Sequence, residues 1–242
     1  MFVKPLAVLA AFALSGCNIA AAASQASDRI EDAKHSDDMV RFGKVCEEND
    51  SWDKPTEPFQ IYGNTYYVGT CGISAILIKG QQNHILIDTG TEAGAQIVLA
   101  NIRRLGLDPF DISLVTHSHE HFDHIGGLSI VADMTSADVV SSFPAESVIS
   151  TGEDDPADPQ FGMHDPMEPA NVQLRVANGE AIHTLFKGQF DLTATAFETP
   201  GHTPGALTWQ WVSCVGTDCK TIVYADSLSP ISSDDYRFSD HP

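Results

Sequence analysis

A short segment near the middle of the chain concentrates side chains that can bind metal ions. It holds four histidines and two carboxylates within eight positions, namely His117, His119, Glu120, His121, Asp123 and His124. Packing hardly explains such a cluster, whereas neutral imidazole and carboxylate groups suit zinc. His119 and His121 alternate, so both can face one side of an extended loop, while Asp123 and His124 project differently as the chain bends into a helix. One loop could therefore serve two adjacent metal ions.

The segments around this cluster have the patterns of short strands and interspersed helices. An apolar run at 112–115 leads straight into the histidines, and Gly63-Asn64 between two strand-like runs is a hairpin signal. Further strands are predicted at 73–78, 84–87, 138–140, 172–176, 190–197, 206–212 and 221–224, and helices around 98–105 and from Pro144. Strand-end loops that carry the chemistry, with one long loop at 152–169, favour a layered α/β fold.

The pattern His119-x-His121-x-Asp123-His124 resembles the HxHxDH signature of the metallo-β-lactamase superfamily. Three other phrases resemble the family in the same order: Ile85-Leu86-Ile87-Asp88-Thr89-Gly90, Thr199-Pro200-Gly201-His202-Thr203-Pro204-Gly205 and Tyr224-Ala225-Asp226-Ser227-Leu228-Ser229. The last of these has serine where subclasses B1 and B2 use a metal-binding cysteine, so the closest likeness is to subclass B3. The resemblance covers residues 46–242, which we assign to the metallo-β-lactamase domain.

The resemblance implies a four-layer αββα sandwich with two zinc ions per complete chain. His119, His121 and His202 would bind the first zinc, and Asp123 and His124 the second. B3 enzymes complete the second site with a histidine in a Thr-Pro-His-Pro-like segment, which we do not find; His241-Pro242 follows Asp226 too soon. By comparison with the family, we expect the C-terminal part of the domain to be missing.

The activity that the resemblance implies is zinc-dependent hydrolysis of the β-lactam amide bond by a metal-bound hydroxide, which confers antibiotic resistance. Metal coordination makes such a nucleophile available at neutral pH. Asp123 would orient it, and Ser227 and Ser229 would bind the carboxylate of the small-molecule β-lactam substrate. Two alternatives stay open: a glyoxalase-II-like thioesterase or lactonase of the same fold, and an inactive zinc-binding fragment.

Other polar residues in these phrases are expected to support the site rather than to bind metal. We assign His117 a structural role and Asp88 the role of holding the ligand loop by hydrogen bonds. Asp226 matches the bridging carboxylate of glyoxalase-II-like relatives, and this alternative stays open. His164 and His183 have no motif support and are interpreted as surface or loop residues.

Composition and charge exclude nucleic acid as a partner. The chain has 33 acidic and 13 basic residues, for a formal net charge of -20, and such a surface repels nucleic-acid phosphates. Hydrophobic residues make up 43% and charged residues 19%, as in ordinary globular proteins, and 242 residues suit one domain. We expect a monomer.

The N-terminal residues 1–17 are predicted to be a signal peptide with a lipobox. Lys4 precedes the apolar run 6–14, which is too short to span a membrane, and Leu14-Ser15-Gly16-Cys17 resembles the lipobox of bacterial lipoproteins. The protein would then be periplasmic and anchored to a membrane through lipidated Cys17. Ordinary cleavage within 20–23, giving a soluble periplasmic protein, is the alternative. Residues 18–45 have the composition of a tether, with a short helix near 38–45.

Four cysteines remain after Cys17, and an even number in an exported protein predicts disulfides. Four cysteines allow three pairings. Cys214 and Cys219 lie between two strand-like runs, so a hairpin could join them, and Cys46 with Cys71 then follows by elimination. Some B3 enzymes carry disulfides in similar places. Free buried thiols are the alternative.

Overall fold

A computed structural model describes residues 37–240 of the chain. The predicted lipobox with Cys17, most of the predicted tether and His241 lie outside the described residues. No helix in residues 37–240 is long and apolar enough to cross a membrane.

The described chain alternates short strands with helices. The helices are α1 at 37–46, α2 (Glu92–Arg104), α3 (Phe122–Ile125), α4 (Leu128–Thr135) and α5 (Ala145–Thr151), with 3-10 turns at Pro109–Asp111 and Phe238–Asp240. The strands are β1 (Phe59–Tyr62), β2 (Thr65–Tyr67), β3 (Ile76–Ile78), β4 (His84–Ile87), β5 (Ile112–Thr116), β6 (Asp138–Ser142), β7 (Leu174–Val176), β8 (Ala181–Phe186), β9 (Gln189–Glu198), β10 (Leu207–Val215) and β11 (Asp218–Tyr224).

Within the described residues the strands form two sheets. The larger has seven strands in the order β1 to β7, antiparallel from β1 to β4 and parallel from β4 to β7. The smaller is an antiparallel sheet in the order β11-β10-β9-β8. Because β4, β5 and β6 run parallel, their carboxyl ends meet at one edge of the sheet, where binding sites of open α/β sheets form.

Helix α2 shows how the sequence covers one face of the large sheet. Its N-cap Thr91 accepts a hydrogen bond from the backbone of Gly94, and Arg103 and Arg104 occupy the last turn. Its buried apolar residues Ala95, Val98, Leu99 and Ile102 recur at helical spacing and join α4 and α5 in one core cluster with the sheet.

The second core lies between the two sheets. In β10, Leu207, Trp209 and Trp211 alternate inward and are almost completely buried, and they meet Ile85 and Ile87 of β4. Phe42 of α1 packs against Phe59 and Tyr67, so the packed part of the chain includes residues predicted to belong to the tether.

The α/β class of the metallo-β-lactamase fold is confirmed, and three of its four layers lie in residues 37–240: helices, large sheet and small sheet. No helix of these residues covers the outer face of the small sheet, on which Val212 of β10 and Val223 of β11 are exposed. Most predicted strands and helices are present, but β8 and α4 were not predicted, and the strand expected at 73–78 is confined to β3.

Both predicted disulfides are confirmed. Cys46–Cys71 joins the end of α1 to the loop between β2 and β3, with a Cα–Cα distance of 5.2 Å. Cys214–Cys219 joins directly paired residues of the β10–β11 hairpin, with a Cα–Cα distance of 4.1 Å.

Candidate metal centre

The candidate centre forms where several strands of the two sheets end. Asp88 follows β4, and the segment from His117 to His121 follows β5. From the small sheet, the turn between β9 and β10 supplies His202, and the segment after β11 supplies Ser229. Residues distant in sequence are thus brought to one edge of the fold.

The first ligand cluster consists of His119, His121 and His202, whose ligand atoms all lie within 4.8 Å of one another. The Nδ1 atom of His121 and the Nε2 atom of His202 are only 3.1 Å apart. His119 and His202 are buried, so the facing nitrogens have little access to bulk water.

The opposite nitrogen of each ring is held by a hydrogen-bond acceptor. Nδ1 of His202 donates to the carbonyl of Ser229 at 2.7 Å. Ser118 Oγ donates to Asp88 at 2.7 Å and can therefore accept from Nδ1 of His119 at 2.9 Å. Each contact places the proton on the outer nitrogen and leaves the inner lone pair free, as a metal site requires.

The second ligand cluster consists of His119, Asp123 and His124. Nε2 of His124 faces Asp123 Oδ2 at 3.5 Å, while its Nδ1 donates to Asp88 Oδ2 at 2.9 Å. A third group joins Asp88, His124 and Asp226, and the Tyr224 hydroxyl contacts Oδ2 of both aspartates at 2.7 and 2.6 Å. Asp226 therefore lies on the Nδ1 side of His124, opposite to Asp123.

Asp88 supports this arrangement as expected from the sequence. It is fully buried and has a φ of 64°, in the left-handed region that a residue other than glycine occupies at a cost. Its Oδ1 accepts from the backbone of Ser118 at 2.6 Å, so one carboxylate fixes both the ligand loop and the ring of His124.

Burial and charge set the protonation of the histidines. Burial, reinforced by His124, His121 and His202, holds the pKa of His119 well below its usual value. Burial also lowers the pKa of His202. Burial alone would lower the pKa of His124, but the adjacent Asp88 carboxylate outweighs it and raises that pKa to about 9. His119 and His202 are thus neutral at pH 7, which is the ligand form of imidazole.

Glu120 was not predicted to have a role, yet it ties the two ligand loops together. It is 2% exposed and accepts from Thr203 Oγ1 at 2.5 Å and from the backbone of Gly205 at 2.6 Å. Burial raises its pKa to about 7, although both hydrogen bonds favour the carboxylate. Glu120, which lies between the ligands His119 and His121, therefore holds the loop that carries the third ligand, His202.

Asp158 is the second residue that sequence reasoning missed. Its carboxylate oxygens lie 3.2 and 3.0 Å from Nε2 of His121, and its side chain is 7% exposed. It belongs to the predicted long loop, but nothing local distinguishes it from the loop's other acidic residues. Only the fold shows that it reaches a ligand.

The remaining predicted residues occupy different environments. Ser229 is exposed, whereas Ser227 is buried and its hydroxyl has no partner among the described residues. His117 is fully buried, and its Nε2 accepts from the backbone of Ser142 at 3.3 Å, as expected of a structural residue. His164 stacks on Phe122, and His183 is an exposed residue of β8.

The fold and the centre together define a class of protein: an α/β protein whose clustered imidazole and carboxylate side chains could hold metal ions. The chain belongs to the metallo-beta-lactamase superfamily, whose family model matches residues 68–213.

Solved structures of this superfamily are similar over most of the chain. The MIM-2 metallo-beta-lactamase is 47% identical with a TM-score of 0.76, and MIM-1 from Novosphingobium pentaromativorans is 41% identical with a TM-score of 0.78. Each match covers 84% of this chain and 74% of the other. MEM-A1, a subclass B3 metallo-beta-lactamase from a soil metagenome library, is 42% identical with a TM-score of 0.73, covering 78% of this chain and 70% of MEM-A1.

Matches to curated proteins are shorter. An uncharacterized protein of Bacillus subtilis, YobT, is 26% identical over 62% of this chain. The human metallo-beta-lactamase domain-containing protein 1 is 36% identical over 26% of this chain. The chain spans 61% and 23% of these two proteins, less than two thirds of either.

Proposed function

We propose that this protein is a zinc-dependent β-lactamase of subclass B3 type. The observation that carries the proposal is the convergence of His119, His121 and His202, in a fold whose similar structures are metallo-beta-lactamases at 41–47% identity. The donor set fits the metal, since the inner nitrogens of three imidazoles face one another.

His119, His121 and His202 would hold the first zinc ion, and Asp123 and His124 the second. When bound, zinc supplies Lewis acidity and activates water at neutral pH. Asp123 has a side-chain exposure of 17%, more than its neighbour His124, and it orients the attacking water. Ser229, which is open to solvent beside His202, binds the substrate carboxylate. The Ser227 hydroxyl is buried and is not accessible to a substrate in this structure.

Two loops border the centre and offer apolar surface to a substrate. Phe161 and Met163 follow Asp158 on one loop, and Leu228 and Ile231 flank Ser229 on the other; all four are more than half exposed. A hydrogen bond from the backbone of Ser233 to the carbonyl of Pro159, at 2.8 Å, joins the two loops. A small, partly apolar molecule such as a β-lactam suits this surface.

We also propose that the protein is exported to the periplasm, with anchoring through lipidated Cys17. The two disulfides support an oxidising compartment. We propose a monomer for the mature protein.

Hydrolysis of nitrocefin and a carbapenem by the full chain tests the function. We expect turnover that EDTA abolishes and added zinc restores. His119→Ala should lower kcat/KM by at least about 100-fold, because even partners of metal ligands typically cost 10–100-fold. His183→Ala, which changes an exposed histidine of β8, is the matched control and should retain wild-type turnover.

Other outcomes would contradict the proposal in distinct ways. Chelator-sensitive hydrolysis of thioesters or lactones without β-lactam turnover would indicate the glyoxalase-II-like alternative. Zinc binding without turnover of either substrate class would indicate the inactive alternative. Full activity of the His119→Ala variant would refute the ligand assignment.

A further inference from the structure

We infer that Asp158 is a positioning residue for His121, and that through it the loop at 152–169 sets the zinc affinity of the first site. The inference rests on the proposed zinc site but goes beyond it, because it assigns a role to a residue outside every ligand motif. The loop joins α5 to β7, and none of the predicted metal ligands lies in it.

The two nitrogens of His121 face different partners. Its Nδ1 points at Nε2 of His202 at 3.1 Å, and its Nε2 points at both carboxylate oxygens of Asp158. A carboxylate only accepts hydrogen bonds, so the proton of a neutral His121 lies on Nε2 and the lone pair on Nδ1. Asp158 thereby selects the tautomer that can complete the first cluster.

His121 is the charge partner of Asp158. Its side chain is 7% exposed, and no lysine or arginine in residues 37–240 forms an ion pair with it. Its remaining side-chain contact is the backbone of Gln160, which donates to Oδ1 at 2.6 Å. A buried carboxylate requires a compensating charge. His121, which becomes more electropositive when it binds a cation, supplies that partner.

The loop holds this carboxylate in place through backbone hydrogen bonds. The backbone of Asp158 donates to the carbonyl of Asp155 at 2.9 Å and its carbonyl accepts from Phe161 at 3.0 Å. Asp154 accepts from the backbone of Gly162 at 2.9 Å, which closes the turn around Asp158. The segment after β11 adds the bond from Ser233 to Pro159. Asp158 is therefore presented by a turn with several backbone constraints.

His121 differs from the other histidines in the source of its support. The outer nitrogens of His119 and His124 are held by Ser118 and Asp88, at the ends of the strands β4 and β5. His121 alone is held by a side chain of the long loop. A substitution at Asp158 should therefore weaken the first site without disturbing the strand ends.

The test uses Asp158→Asn in the full chain, with Asp165→Asn, an exposed carboxylate of the same loop, as the matched control. Zinc affinity is measured by competition with a chromophoric chelator, and unfolding of the metal-free proteins is followed by circular dichroism. We expect Asp158→Asn to bind its first zinc ion 10–100-fold more weakly, the usual effect of losing such a partner. The metal-free Asp158→Asn protein should keep the circular dichroism spectrum of a folded protein, with a Tm lowered by the loss of one buried hydrogen bond. The zinc affinity of Asp165→Asn should match the wild type.

Nitrogen-15 NMR of the histidine rings gives a second measurement that needs no variant. In zinc-loaded wild-type protein, His121 should be protonated at Nε2 and coordinated through Nδ1. Coordination through Nε2, or an Asp158→Asn variant with wild-type zinc affinity, would overturn the inference while leaving the zinc site intact. A wild-type protein that binds no zinc would instead refute the proposed function.

Discussion

At the scale of single residues, the centre depends on side chains that touch no substrate. Asp88 and Glu120 are both almost completely buried, and each joins a ligand loop to another part of the fold. Such partners fix the rotamer and tautomer of a ligand, so the geometry exists before any metal binds. The specific arrangement of the centre therefore resides in contacts outside the HxHxDH pattern.

Glu120→Gln tests this directly. The amide has the same shape, but its NH2 group would face one of two hydrogen-bond donors, Thr203 Oγ1 or the backbone of Gly205. An unsatisfied buried group costs about 1–3 kcal/mol, so the free energy of unfolding should fall by that amount. Urea denaturation of the metal-free protein measures it. Glu57→Gln, at an exposed glutamate, is the control, and an equal effect of both variants would contradict the role of Glu120.

At the scale of elements, the two disulfides constrain the chain to different extents. Cys214–Cys219 spans 5 positions within a hairpin that is already paired from Trp209 to Val215. Cys46–Cys71 spans 25 positions and attaches α1, whose Phe42 completes the packing beside Phe59 and Tyr67. Loop closure in the unfolded chain costs more entropy for the longer span.

Removal of the Cys46–Cys71 bridge should therefore destabilise the protein more than removal of the Cys214–Cys219 bridge. By loop length alone we expect about 3–4 kcal/mol for the pair Cys46→Ser with Cys71→Ser and about 2 kcal/mol for Cys214→Ser with Cys219→Ser. Urea denaturation of both double variants measures the difference, and each serves as the control for the other. A larger loss from the hairpin bridge would show that strain or denatured-state structure dominates.

At the scale of the whole molecule, buried histidines should make the metal-free protein sensitive to acid. Burial lowers the pKa of His84, whose Nδ1 accepts from the backbone of Gly80 at 3.2 Å. Because the folded pKa lies below the unfolded one, the unfolded state binds an extra proton as the pH falls below about 6.5. His84 thus contributes stability above that pH, which is lost progressively as the pH falls towards the folded pKa.

The slope of the free energy of unfolding against pH that one such group contributes approaches about 1.4 kcal/mol per pH unit. His84→Asn should remove this contribution. Asparagine keeps a side-chain oxygen that can accept from Gly80 but does not titrate. Urea denaturation in EDTA between pH 7 and 5 measures the change. The control is His183→Asn, at an exposed position of β8. An unchanged slope in His84→Asn would show that His84 titrates alike in both states.

The sequence by itself determined the features that depend on neighbouring residues. The Gly63-Asn64 turn signal between two strand-like runs predicted the β1–β2 hairpin, and helical spacing predicted α2. The spacing of His119, His121, Asp123 and His124 predicted a loop with two ligand groups, and the structure brings these residues into two clusters. These features are local because backbone periodicity alone decides which side chains share a face.

Only the tertiary structure decided the partners of those ligands. Asp158 is one of six acidic residues between Glu153 and Glu168, and its contact with His121 depends on how the long loop folds over the edge of the sheet. The bonds from Tyr224 to Asp88 and from Gly205 to Glu120 likewise span 136 and 85 positions. Such distances follow from the stacking of one sheet on the other, which no local pattern encodes.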